Sequence, residues 1–426
     1  MSVPSVPVPN PVDLLFHGAG QSAVHPEAVP NVGAVLHLSG TAPDLDALVR
    51  HVAPRIGTLP CLTHRLVDSG PAVHWARQFP DTARHITAHS LPRGVDHLDT
   101  AVRDLLREPL PDAAPAWRLC LLTGHTPDGY TLLYLTHHAV QDAAGIFSVL
   151  EALFGPPIAP SQSSGVAPRI ADGPAPGAVQ MVRSVRHTLR NTRRHGLWTA
   201  PDRPLSARRD VLWADVPTGV LRTAGRTLGC SPNDIHLTAL AHAVAEWAQE
   251  HWPRAAHPAL PVMIPVNLRT PDEVGLPGNR FFLARVDLPG GPSSAAGRLP
   301  GTLAATAPLK SPAHRSALHR LTHRAPRPLA RKFTFRAATP DRLTVVGSIF
   351  GSRHPLSFLG DPVHRVVPLI CCPQGFPLTA ALFLYGETST ACFQIDRALP
   401  EAHTLPERWR RAVDEITSGG SAGAGP

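Results

Sequence analysis

Lysine is almost missing from this 426-residue chain: Lys310 and Lys332 are the only two, so nearly all its positive charge is arginine. The excess reads as spread along the chain, a mark of GC-rich coding DNA that needs no functional cause. Aromatic residues make up only 5%. No basic stretch is interleaved with stacking side chains, which argues against a surface for single-stranded nucleic acid. Helix-turn-helix and zinc-finger spacings are missing too, so no nucleic-acid partner is expected. Cys61, Cys120, Cys230, Cys371, Cys372 and Cys392 are irregularly spaced, with no C-x-x-C pair and no metal-ligand framework. Neither a metal nor a bound cofactor is therefore expected, and Cys371-Cys372 reads as two small buried side chains. No apolar run reaches the roughly 18 residues of a transmembrane helix. Met1-Ser2-Val3-Pro4 lacks the charged and apolar regions of a signal peptide. These absences predict a reduced, cytoplasmic protein, as a monomer or a dimer.

The length favours two domains of roughly 200 residues each. A hydrophobic content of 43% and a charged content of 17% fit a folded globular chain. The net charge of +8 suits acidic partners such as an anionic membrane surface, a coenzyme phosphate or an acidic carrier protein.

Along the chain, residues 1–10 read as a flexible lead-in. A buried strand is predicted over 32–38 and an amphipathic helix over 44–53, with Asp44 and Asp46 near its N-terminus. Short strands follow near 67 and 73–75, then a helix over 98–106 and a strand over 117–123. The turn Pro127-Asp128-Gly129 leads into an apolar strand over 130–136, then His137-His138, then a helix over 143–154. Proline and glycine punctuate 155–204, interrupted by a basic amphipathic helix over 181–195. Its apolar stripe is Val182, Val185 and Leu189. This helix is open to two readings, a docking site for an acidic carrier or membrane surface and a solvated helix face. The second half resumes with a strand over 211–216 and a helix ending near Leu228-Gly229. Ser231-Pro232 then starts another helix as N-cap and first residue. Strands over 260–265, 281–288, 343–349, 379–385 and 391–396, a basic helical stretch over 311–336 broken by Pro326 and Pro328, and a helix over 406–416 complete the chain. The expected division is an N-terminal lobe at 1–155, a linker with the basic helix at 156–205, a C-terminal lobe at 206–417 and a disordered tail at 418–426. Each lobe reads as an α/β sandwich.

The chemistry concentrates at His137-His138-Ala139-Val140-Gln141-Asp142. Consecutive side chains of an extended strand point to opposite faces. The two rings are therefore not expected to share a metal, which leaves one working histidine and one supporting neighbour. A neutral imidazole suits removal of a proton from an alcohol or amine attacking a thioester. Asp142 either orients that histidine or joins an ion pair that shapes the loop. The candidate cation is Arg269, in Pro265-Val266-Asn267-Leu268-Arg269. With 24 histidines in the chain, an adjacent pair without function also remains open.

The HHxxxD run resembles the motif of the coenzyme A-dependent acyltransferase superfamily. That group holds chloramphenicol acetyltransferase, peptide-synthetase condensation domains and bacterial wax ester synthase/diacylglycerol acyltransferases. Several segments resemble the last branch and span nearly the whole chain: Pro11-Val12-Asp13-Leu14-Leu15-Phe16, Pro60 to Val67, Trp117 to Leu122, Asn233-Asp234, Pro265 to Arg269, and Gly278-Asn279-Arg280. The resemblance implies two chloramphenicol-acetyltransferase-like α/β sandwich lobes forming a V with a central tunnel. It implies His138 as general base beside His137, Asp142 as structural carboxylate, and Ala143, Gly145, Asn233 and Asn279 along the tunnel. The implied donor is acyl-CoA or a phosphopantetheinyl carrier protein, and the acceptor a small molecule bearing a hydroxyl or amine. Ala143 stands where the motif has glycine, and Gly347 to Ser352 lacks the asparagine and prolines of the branch's segment. Those departures point to an acceptor from specialised metabolism. Wax ester or triacylglycerol synthesis, or a non-catalytic thioester-binding protein of the same fold, are the alternatives.

Overall fold

The computed structural model describes residues 6–70, 72–156, 177–200, 202–352 and 354–419. Its strands are β1 (Asn31–Ser39), β2 (His64–Asp68), β3 (Val73–Arg77), β4 (Ile86–Ser90), β5 (Trp117–Thr123), β6 (Gly129–His137) and β7 (Arg209–Pro217) in the first half. The second half adds β8 (Ala259–Asn267), β9 (Phe281–Pro289), β10 (Val345–Gly351), β11 (Ser357–Phe358), β12 (Asp361–Leu369), β13 (Leu378–Tyr385) and β14 (Thr388–Asp396). The chain forms two compact units. One holds residues 1–168, 269–280 and 351–371, and the other holds the remainder.

The first unit is built on a six-stranded sheet in the order β11-β12-β1-β6-β5-β4. β6 lies inside it, antiparallel to β1 and β5, and seven of its nine residues are buried. Burial on both faces is why this strand reads as a continuous apolar run with no alternation. The β1–β6 register is tight: a Cβ on Gly33 would fall 1.9 Å from the Tyr134 carbonyl oxygen, so only glycine fits. That register sets Asn31 opposite His137 and so fixes where β6 delivers the histidine pair.

Residues 269–280 and 351–371 belong to this unit, although both fall in the span expected for the C-terminal lobe. β12 lies antiparallel on the outer side of β1. A strand's partner is a long-range property, and no local pattern in 361–369 names β1 as that partner. The same unit holds a helix, Pro11–Gln21, just after the stretch read as a flexible lead-in. Asn10 caps it, accepting from the backbone N–H groups of Val12 and Asp13, while the Asp13 carboxylate accepts from Asn10 N–H. This reciprocal pair, followed by proline at the first helical position, is a helix-start signal.

The second unit carries a six-stranded sheet in the order β7-β14-β13-β10-β8-β9, parallel between β10 and β8 and antiparallel at β7–β14, β14–β13 and β8–β9. Its central helix, Pro232–His251, is buried along most of its length and packs on helices Ala295–Lys310 and Leu405–Gly419. Ser231 and Asp234 form its capping box, and Lys310 reaches the Asp234 carboxylate at 2.6 Å. Its Trp247 joins Trp198 and Trp409 in the core.

Pro300 and Pro308 inside helix Ala295–Lys310 hide that helix from a sequence reading. The basic stretch at 311–336 is two helices, Pro312–Arg324 and Arg327–Ala337. The break falls at Ala325-Pro326, whereas Pro328 sits in a first turn, where its missing N–H costs nothing. The basic helix expected over 181–195 runs instead over Ala178–Leu189, followed by a 3-10 turn at Arg190–Thr192. Ser418 and Gly419 end the last helix and are not part of a tail. Residues 157–176 of the expected linker, and 420–426, lie outside the described residues.

His236, on the central helix, is wholly buried edge-on to Trp409 at 5.8 Å, and neither ring nitrogen finds a hydrogen bond among the described residues. Burial pushes its pKa down to about 3. The unfolded chain binds this proton near the usual 6.5 and the folded chain only near 3, so folded stability falls as pH drops through that window. Replacing the imidazole with an aliphatic group removes that dependence. His236→Leu should therefore flatten the decline of the urea midpoint between pH 7 and pH 4, and an unchanged slope would rule His236 out as a contributor.

Candidate active site

β6 ends at His137, and the next three residues form a turn before helix Ala143–Phe154. Strand alternation therefore stops one residue before His138, and the expectation that the two rings face apart fails. Both rings meet the same face of helix Pro11–Gln21. Phe16 stacks on His138 with ring centroids 4.0 Å apart at 7°. One turn along, a Cβ on Gly20 would fall 2.5 Å from Nε2 of His137.

The hydrogen bonds give the two imidazoles different tautomers. Ala139 N–H donates to Nδ1 of His137 at 3.1 Å, so that nitrogen is an acceptor and the neutral ring carries its proton on Nε2. At His138 the logic runs through Asn279. The Asn279 amide nitrogen lies 2.9 Å from an Asp13 carboxylate oxygen and 2.9 Å from the His138 carbonyl oxygen. Both of those are acceptors, so the amide cannot flip. Its oxygen then faces Nδ1 of His138 at 2.9 Å, and Nδ1 must be the protonated nitrogen. The basic lone pair of His138 is thereby assigned to Nε2.

Asp13 is fully buried and fixes Asn279 twice, since it also accepts the Asn279 backbone N–H at 2.7 Å. Burial pushes its carboxyl up to about 6, against the pull of Arg280 and the N–H donors. Burial also holds His138 below the ordinary histidine range, against its own carbonyl, the Asp142 charge and Asn279, which all favour the imidazolium. His137 is pushed down to about 3 by burial and by neighbouring His138 and His17. Both rings are neutral at pH 7.

Asp142 caps helix Ala143–Phe154, accepting from Gly145 N–H at 2.8 Å. It also accepts from the Arg269 guanidinium at 3.0 Å and from Arg280 N–H at 2.7 Å. Burial disfavours its charge, but Arg269 and these N–H donors prevail and hold it below the usual carboxylate value. Arg269 also donates to the carbonyls of Glu273, Leu276 and Gly278. The guanidinium thus ties residues 269–280 into a loop and ties the loop to Asp142. Gly278 N–H donates to the Val140 carbonyl at 2.6 Å, next to Asn279. Gly278 has φ +94°, and a Cβ there would meet an Asp13 carboxylate oxygen at 2.8 Å. Only glycine serves at that position.

Of the residues expected at the site, the structure gathers His137, His138, Asp142, Arg269, Gly145 and Asn279 in the first unit. Gly145 and Asn279 were expected along a tunnel, and both are buried in the hydrogen bonding around Asp142 and His138. Ala143 is the first residue of its helix and partly exposed. Asn233 belongs to the second unit, at the start of helix Pro232–His251. Asp13, Phe16 and Arg280 carry parts of the site that residue types alone did not reveal, although all three lie in segments that carry the family resemblance. Among the described residues no group of His, Cys, Asp or Glu is placed to hold a metal ion, and no helix is long and apolar enough to cross a membrane.

No protein-family model matches the chain. A probable diacylglycerol O-acyltransferase of Mycobacterium tuberculosis is 22% identical over 392 residues, 84% of either chain. Among solved structures, the wax ester synthase/diacylglycerol acyltransferase of Marinobacter aquaeolei superposes with a TM-score of 0.63 at 17% identity, covering 97% of this chain and all of that one. The first condensation domain of the CDA synthetase gives 0.67 at 16% identity, covering 100% and 98%. The starter condensation domain of rhizomide synthetase, solved as a double mutant with C8-CoA, gives 0.66 at 13% identity, covering 97% and 94%. The chain shares the fold of these acyltransferases and condensation domains. Two motif features of the superfamily resemblance, the second histidine and the aspartate, are the residues around which the site just described is organised.

Breaking a buried ion pair by removing one partner costs about 3–5 kcal/mol. Arg269→Met and Asp142→Asn should each lower unfolding stability on that scale, measured by urea denaturation. The double variant should lose far less than the sum. Strict additivity would show that the two side chains do not act as a pair.

Proposed function

We propose that this acyltransferase moves an acyl group from a coenzyme A or carrier-protein thioester to a hydroxyl or amine of a small molecule, with His138 as general base. The acceptor's O–H or N–H proton passes to Nε2 of His138 as the acceptor attacks the thioester carbonyl. The tetrahedral intermediate collapses with cleavage of the C–S bond, and the proton on Nε2 goes to the departing thiolate. The products are an ester or amide and a free thiol. A base of this kind contributes about 10²- to 10⁴-fold.

The observation that carries this reading is the amide of Asn279, locked by Asp13 and the His138 carbonyl so that Nδ1 of His138 holds the proton. His137 is a supporting neighbour whose Nδ1 accepts from the turn. Asp142 acts on His138 indirectly, through the loop that carries Asn279. The C8-CoA bound to the starter condensation domain supports a thioester donor. Ala143 in place of the motif glycine and the altered 347–352 segment support an acceptor from specialised metabolism. The names of the mycobacterial relatives favour a second reading, with diacylglycerol as acceptor.

A panel of acyl-CoA and acyl-carrier donors against alcohol, amine and diacylglycerol acceptors, read by free-thiol release, separates these readings. His138→Ala should lose about 10²- to 10⁴-fold in turnover with unchanged circular dichroism, and near-wild-type turnover would end the base assignment. Asn279→Leu should lower kcat more than it raises the donor KM, because it removes the tautomer lock and leaves His138 in place. The wild-type rate should fall on the acid side with an apparent pKa below 6.5, since burial depresses the imidazolium and only the neutral ring accepts a proton.

A further inference from the structure

Helix Ala178–Leu189 is docked the wrong way round for a soluble amphipathic helix. Its buried residues are Ser184 and His187, which face helix Pro312–Arg324. Ser184 is hydrogen-bonded to Nδ1 of His314 at 2.8 Å, and the His187 ring lies edge-on to His314 at 5.1 Å. The apolar stripe points the other way, with Val179 67%, Val182 54% and Leu189 52% exposed. A helix in a globular chain normally buries this stripe. Helix Arg327–Ala337 packs against the 190–192 turn that ends this element, has no buried residue, and exposes Leu329 at 61%.

Charge gathers on the same elements. Residues 178–195 and 311–337 hold twelve arginine and lysine side chains and no acid. The whole chain is only +8, so the remainder is net acidic. The basicity is therefore localised, contrary to its reading as a general arginine excess. Arg183, Arg186 and Arg190 are exposed beside the aliphatic stripe, and Arg327, Arg331, Lys332 and Arg336 are exposed on the second helix.

We propose that the outer faces of helices Ala178–Leu189 and Arg327–Ala337 dock on an anionic lipid surface, with Val179, Val182, Leu189 and Leu329 entering the interface and the flanking arginines meeting lipid phosphates. Aliphatic side chains rimmed by cations on a helix face are the pattern that binds such surfaces. A second copy of the chain is disfavoured, because a two-fold contact would oppose two acid-free cationic faces. This proposal does not depend on the acyl-transfer reading.

The full-length protein is sedimented with vesicles of phosphatidylcholine alone and of phosphatidylcholine with phosphatidylglycerol. The wild type should bind only the second kind, and more weakly as salt rises. Val182→Asp with Leu189→Asp, and separately Arg186→Glu with Arg190→Glu, should each cut partitioning by about tenfold or more at unchanged melting temperature. All four positions are exposed, so these variants should fold. Equal binding to both vesicle kinds, no binding, or wild-type binding by the variants would overturn the proposal. So would a concentration-dependent dimer that Val182→Asp with Leu189→Asp abolishes, or binding to an immobilised acidic carrier protein in the absence of vesicle binding.

Discussion

The buried pair between Asp142 and Arg269 is the contact on which the site depends. Each charge alone would be costly to bury, and each is stabilised by more than the other. Asp142 takes backbone N–H groups from Gly145 and Arg280, while Arg269 also donates to three loop carbonyls. The pair therefore works as a junction between two stretches of backbone far apart in sequence. Its product is the position of Asn279, one residue before the Arg280 N–H that Asp142 holds. From Asn279 the chain of constraint runs to His138 and ends in the choice of which ring nitrogen is basic.

Backbone requirements reinforce that arrangement. Gly278 supplies a positive φ and a missing Cβ at the point where the loop passes Asp13. Gly33 lets β1 close on β6 so that His137 arrives at the end of that strand in register. The N-terminal helix adds a third element, with Asp13 bonded to Asn279, Phe16 stacked on His138 and Gly20 against His137. These three residues fall on one stripe at roughly i, i+3 and i+7, the spacing of a single helix face.

Much of this was legible in the sequence, and unevenly so. The strand at Trp117–Thr123 and the helix at Ala143–Phe154 have the bounds expected of them, because both are long, apolar and flanked by clear turn or cap residues. Ser231-Pro232 marks its helix for the same reason. The histidine pair, Asp142 and Arg269 stood out by residue type and by resemblance. Asp13 did not: it reads as a helix-cap residue, and its second job depends on a partner 266 positions away. β12 stayed hidden because its identity lies in pairing with β1 and not in its own pattern. Helix Ala295–Lys310 stayed hidden because two prolines break the local signal while tertiary packing overrides it. The buried face of Ala178–Leu189 reads as its polar face, so a periodicity argument assigns it backwards.

The unit that carries His138 is written into the chain in three instalments, 1–168, 269–280 and 351–371. During synthesis, β6 and its histidines emerge more than two hundred residues before β12. At roughly 5–20 residues per second, β1 waits on the order of tens of seconds with one edge unpaired. An open strand edge invites pairing with another chain. The nascent protein thus passes through an interval in which this sheet is incomplete and His138 has no Asn279. The unit is complete only once residues 269–280 and 351–371 have both been made, long after the histidines themselves.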